Sequence, residues 1–135
     1  MITVTRSRLP STSMADAPAR FKDLCLDADD HHALADWWCA AIGYVRRDPL
    51  QGDEPRPHEW PVPIVDPTGR GPLIWIVPVP EPKTVKNRMH LDVVGETGPL
   101  LVAGARMLRE QDDEIEWSVL ADPEGNEFCV FAPEE

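Results

Sequence analysis

The chain predicts an α+β fold in which a unit of strand, helix and further strands occurs twice. Three observations predict it. Apolar residues at helical spacing, Leu34, Trp37, Trp38, Ala41 and Ile42, follow a short strand-like run and stop at Gly43. Two-residue alternation marks 88–94, 115–121 and 127–131, with ionisable side chains on one face and apolar ones on the other. Between these regions, from Pro49 to Pro82, lie ten of the fifteen prolines, a density that excludes helix and leaves edge strands and loops.

Each element has its own justification. Residues 1–19 are rich in Ser, Thr, Pro and Arg, lack an apolar run long enough for a signal peptide or a membrane span, and read as a flexible tail. A start at Met14 would lose little folded structure. One domain then covers 20–134, with module one at 20–80 and module two at 86–133. In the strand 21–27, Leu24 and Leu26 face a core and leave Phe21, Asp23 and Cys25 on the opposite surface. Asp29 or Asp30 caps the helix that ends at Gly43, a residue suited to the left-handed terminal position. Tyr44 to Arg47 opens another strand, Trp60, Val62 and Ile64 alternate with prolines as an edge strand does, and 73–77 is a buried strand. A stiff linker, Val79-Pro80-Glu81-Pro82-Lys83, leads to the second unit. There Thr97-Gly98-Pro99 opens a helix with Leu100, Leu101, Gly104, Met107 and Leu108 on one face, followed by a faint strand at 111–114 and the strands near 115–121 and 127–131. The repeat rests on the order of elements.

Composition bounds the function. With 13 Lys and Arg against 24 Asp and Glu, the formal net charge is -11, and no basic residue follows Arg109. Nucleic acid and anionic membrane surfaces are therefore not expected partners. Cys25, Cys39 and Cys129 form no CxxC pair, so the expectation is a reduced chain in the cytoplasm. No phosphate-cradling glycine loop, GxSxG elbow or HExxH helix is present, and the acidic run 112–116 reads as a solvated hairpin.

The candidate chemistry lies on the alternating strands. His90 and Asp92 share one strand face, as do Glu127 and Cys129. An imidazole beside a carboxylate suits general acid and base work, which makes His90, Asp92 and Glu127 the candidate catalytic set. The bland alternatives are a cleft histidine bonded to Asp92 or to the backbone, and a Glu127 that salt-bridges Arg88 or Lys86. Trp75 shares a surface with Val77, and Trp117 with Val119, so that aromatic walls could grip a flat ligand or simply form core. His31 and His32 are expected to be exposed in the first helical turn and His58 to lie in a proline-flanked loop, none with a partner at ligand spacing.

The doubled unit, together with Leu34-Ala35-Asp36-Trp37-Trp38, Val79-Pro80-Glu81-Pro82-Lys83, Lys86-Asn87-Arg88-Met89-His90-Leu91-Asp92 and Asp122-Pro123-Glu124-Gly125-Asn126-Glu127-Phe128-Cys129-Val130, resembles the vicinal oxygen chelate superfamily. Within it the chain is similar to the actinobacterial glyoxalase-like branch, over residues 21–131. The resemblance implies two βαβββ modules forming a half-open barrel cleft, often in a homodimer. It places metal ligands, where the family has them, at positions matching Asp23, Val77, His90 and Cys129. Val77 cannot bind a metal, so no cofactor is expected; the alternative is a three-ligand site for zinc or another divalent ion at Asp23, His90 and Cys129. Two functions follow from the resemblance. One is isomerase or lyase chemistry on a small organic molecule, with His90 as acid or base, Asp92 orienting it, and Glu127 or Asp23 as second carboxylate. The other is a non-catalytic, bleomycin-resistance-like protein that sequesters a drug. The ligand-binding set for either is Asp23, Cys25, Trp75, Val77, Trp117 and Cys129.

Overall fold

A computed structural model describes residues 17–47 and 56–134. The tail expected over 1–19, with its Met14 start, lies outside the described residues up to position 16. Module one consists of β1 (Leu24–Ala28), α1 (His31–Ile42), β2 (Val45–Arg46), β3 (Val62–Val65) and β4 (Ile74–Pro78). Module two consists of β5 (Leu91–Val94), α2 (Thr97–Val102), β6 (Arg106–Arg109), β7 (Trp117–Ala121) and β8 (Glu127–Phe131). Each module is a four-stranded mixed sheet, ordered β1-β4-β3-β2 in the first and β5-β8-β7-β6 in the second. The β1·β4 and β5·β8 pairs are parallel and the others antiparallel. This is the expected α+β pair of βαβββ units, with neither sheet closed on itself.

Helix α1 organises the core. The Asp30 carboxylate accepts from the Ala33 N–H at 3.2 Å, and Gly43, at φ 77°, turns the chain out of the helix while its N–H reaches the Cys39 carbonyl. The helix buries Leu34, Ala35 and Trp38 against one cluster that includes Ile64, Ile74 and Ile76 from module one and Leu120, Phe128 and Val130 from module two. Trp38 stacks edge-on against Phe128 and donates its indole N–H to the buried Asp122 carboxylate at 2.8 Å. Trp37 donates to the Ala103 carbonyl. Asp122 also accepts from the backbone N–H groups of Glu124 and Asn126 and from the Asn126 side chain. Glu124 in turn accepts from the N–H groups of Asp29 and Asp30 at 3.0 and 2.9 Å, tying the start of α1 to the turn before β8.

Several elements differ from the sequence expectation. The first strand begins at Leu24, leaving Phe21 exposed. β3 is an interior strand with Val62, Pro63 and Ile64 all buried. Its proline is tolerated there because the Pro63 carbonyl still accepts from the Arg47 N–H at 2.9 Å and β2 is only two residues long. α2 ends at Val102 and buries no residue, because Gly104, at φ 119°, breaks it; Met107 and Leu108 belong to β6. The strand expected at 111–114 is a turn in which Asp112 accepts from the Glu114 and Ile115 N–H groups. β5 starts at Leu91, so His90 sits just ahead of it.

Candidate functional site

The chemistry gathers on module two. Asp92 is the register partner of Cys129 across the parallel β5·β8 pair, and His90 lies two residues earlier. Phe128 and Val130 point into the core, so alternation turns Cys129 to the face with Asp92 and His90. His90 Nδ1 stands 3.3 Å from Asp92 Oδ1 and 3.9 Å from Cys129 Sγ. Donor atoms of all three lie within 4.8 Å of one another, the one such group of metal-ligating side chains among the described residues. Burial pushes the Cys129 thiol above its ordinary pKa, and the neighbouring Asp92 carboxylate adds to this by charge and hydrogen bonding.

A cavity of about 410 Å³ opens beside this cluster, at the seam between β1 and the residues leading into β5. Leu24, Leu26, Ile74, Leu91, Trp38 and Phe128 make its apolar wall, while Asp23, His90 and Glu127 bring polar groups to it. A larger groove of about 520 Å³ runs between 25–28 and 81–89, but its lining is mixed and it contains none of His90, Asp92 or Cys129. Chemistry therefore points to the smaller cavity.

The expected site residues divide between the two sheets. Asp23 lies apart from the cluster, and the expected trio Asp23, His90 and Cys129 is not formed; Asp92 takes the acid's place because it is paired in register with Cys129. The Asp23 carboxylate is occupied by Lys22 at 2.6 Å and by the Trp75 indole N–H at 3.0 Å. The Lys22 hydrogen bond is the main cause holding its pKa below the usual carboxylate value, against a desolvation that works the other way. Glu127 accepts from Lys83 and from the Asn87 N–H at 2.9 Å, so its partner is Lys83, not the expected Lys86 or Arg88. Burial pushes the Glu127 carboxyl upward, yet these bonds outweigh it and leave the pKa lowered. Glu127 fastens the segment 83–87 across the seam.

The aromatic walls also separate. Trp75, Val77, Trp117 and Cys129 do not line the seam cavity, because Trp75 sits on the sheet face turned away from α1 and Trp117 packs on Phe131 at 5.6 Å. Register places Trp75 opposite Cys25 as Cys129 stands opposite Asp92, so Trp75, not Val77, occupies the module-one counterpart of Cys129. The ligand positions implied by the resemblance do not fit a metal: neither Val77 nor Trp75 offers a donor, and Asp23 is bonded elsewhere on the other sheet. His90, Asp92 and Cys129 are the residues that could hold one, with nitrogen, oxygen and sulfur donors suited to zinc.

His31 and His32 are not the exposed groups expected, and His58, exposed in its loop, is joined to both. His31 is 5 % exposed and hydrogen-bonds the carbonyls of His58 and Trp60, His32 bonds the same His58 carbonyl, and the rings of His32 and His58 stack at 4.1 Å. Spacing in sequence carries no trace of this, because the loop at 56–60 brings His58 across 26 residues.

Comparison with known proteins agrees with this architecture. The family described as "Glyoxalase-like domain" matches residues 23–131. The chain belongs to that family. Its fold is shared with a glyoxalase/bleomycin resistance protein/dioxygenase family enzyme from Burkholderia phytofirmans PsJN, at TM-score 0.62 and 13% identity over 84% of this chain and 98% of that one. TioX from Micromonospora sp. ML1 is similar at TM-score 0.53 and 17% identity, over 83% and 97%. A glyoxalase-related enzyme from Fulvimarina pelagi is similar at TM-score 0.57 and 14% identity, over 84% and 88%. No curated protein sequence matches the chain. Among the described residues no helix is long and apolar enough to cross a membrane.

Proposed function

We propose that this glyoxalase-like protein binds a small organic molecule in the seam cavity and that His90 exchanges a proton with it, in chemistry of the isomerase or lyase type. The observation that carries the reading is the apolar cavity of about 410 Å³ with His90 at its edge. Asp92 orients the ring: with Nδ1 turned to Asp92 at 3.3 Å, Nε2 is the nitrogen left for a ligand proton. Asp23 and Glu127 serve as positioning residues, since both carboxylates are held by cationic and N–H partners. No step in this reading passes through a metal.

The same cavity supports a second reading, non-catalytic sequestration of a drug, because most of its wall is apolar, from Leu24, Leu26, Ile74, Leu91, Trp38 and Phe128. One experiment separates the two. A thermal-shift screen of aldehydes, thiol adducts and aromatic antibiotics finds ligands, and turnover is then followed for the wild type and His90→Ala. Turnover that His90→Ala abolishes while binding persists supports the proton-transfer reading. Stabilisation by an antibiotic with no turnover supports sequestration, and the absence of any stabilising ligand overturns both.

A further inference from the structure

Trp75 stands at the centre of a second feature that the seam cavity does not use. The Arg47 guanidinium carbon lies 5.8 Å from its ring centroid, and that of Arg56 lies 5.9 Å from the same centroid and 5.1 Å from Trp60. Four half-buried cations occur among the described residues, Arg46, Arg47, Arg56 and Lys83. Arg46 is paired with Asp36 and Lys83 with Glu127, but no described carboxylate lies within 4.0 Å of Arg47 or Arg56. In a chain with 24 acids and 13 bases, two half-buried arginines that no described carboxylate pairs are a departure from what composition alone would produce. Arg47 Nε is also the one buried side-chain nitrogen or oxygen among the described residues that has no hydrogen-bond partner. Arg56 spends one N–H on the Pro61 carbonyl, and among the described residues its other donors have no partner.

We infer that Arg47 and Arg56 form, on the face of Trp75, a subsite for the carboxylate or other oxyanion group of a planar organic molecule. Guanidinium forks match a carboxylate in two parallel hydrogen bonds, and the indole supplies a flat surface for the adjoining ring. The anion would provide a charge that no described carboxylate brings to these arginines, while Asp23, on the indole N–H, keeps the ring oriented. The subsite goes beyond the proposed function: it adds a second binding place with its own ligand class, an anionic planar molecule, and requires nothing of His90.

The probe is benzoate, with its uncharged isostere benzamide as the control and inorganic phosphate as a ringless anion. The readout is the Trp75 indole N–H resonance, assigned by its loss in Trp75→Phe. Benzoate is expected to shift this resonance saturably and benzamide not to. Arg47→Met and Arg56→Met should each weaken the benzoate titration roughly tenfold, as loss of a charge-assisted fork implies. Should Arg47→Met fail to fold, Arg47→Lys, which keeps the charge and loses the fork, together with Arg56→Met, carries the same comparison. A phosphate shift weaker than that of benzoate supports a role for the ring surface; an equal one removes it. His90→Ala is expected to bind benzoate like the wild type, so failure of proton transfer and failure of the subsite read out separately. Equal shifts by benzoate and benzamide, or benzoate binding that survives both arginine substitutions, would overturn the inference.

Discussion

The two modules share element order and sheet order, yet one of them holds the molecule together and the other carries the reactive side chains. Module one has a 12-residue helix that buries Trp38 and Leu34, whereas the six-residue helix of module two has no fully buried residue and only leans Leu100 on the core. A matching pair of turns makes the difference plain. Asp66-Pro67-Thr68-Gly69 precedes β4 and Asp122-Pro123-Glu124-Gly125 precedes β8, and in each the glycine N–H returns to the aspartate carbonyl. Asp66 keeps its bonds local, accepting from Thr68 and Gly71. Asp122 is buried and reaches Trp38 of the other module. One helix therefore serves two sheets, which frees the outward face of β5 and β8 for His90, Asp92 and Cys129.

That asymmetry can be broken where it is strongest. Asp122→Ala strips a buried acceptor from Trp38, Glu124 and Asn126 at once, and is expected to cost about 3 kcal/mol or more in denaturant unfolding, as leaving several buried donors unsatisfied does. The counterpart Asp66→Ala should shift the same midpoint much less; equal losses would refute the asymmetry. Gly43→Ala forces a side chain into φ 77° at the end of the shared helix, and about 1 kcal/mol should be lost.

Smaller effects sharpen the picture of the seam. Because the folded Glu127 carboxyl titrates below its unfolded value, its bonds to Lys83 and Asn87 stabilise the 83–87 segment above the ordinary carboxylate range. That contribution is lost as pH falls through the folded value. Hydrogen exchange at Asn87 should accelerate in acid relative to the wild type's own core amides, and Glu127→Gln should remove most of that pH dependence. Among the thiols, Cys25 is exposed while Cys129 is buried with a raised pKa, so iodoacetamide should modify Cys25 well before Cys129. A faster Cys129 would mean that the site activates its thiol.

Much of this was legible in the residues. Leu34, Trp38 and Gly43 announced the first helix, and strand parity put His90 with Asp92 on one strand face and Glu127 with Cys129 on another, because both signals are local and periodic. Less legible was anything that depends on which strands become neighbours. Choosing Asp92 over Asp23 as the acid beside His90 and Cys129 required the β5·β8 register, and Pro63 in an interior strand required knowing that β2 is two residues long. Lys83 as the partner of Glu127, His58 against His32, and the two arginines on Trp75 all join residues brought together by loops.

The sequence by itself determined the repeated order of elements, the face on which each strand's side chains lie, and an acidic chain without disulfide architecture, since these follow from periodicity, backbone chemistry and composition. Tertiary structure alone decided which carboxylates remain available beside His90 and which are tied down by Lys22, Trp75, Lys83 and Asn87. The reason is physical. Parity is a property of a single strand, whereas a hydrogen-bond partner is set by the register and packing of segments tens of residues apart.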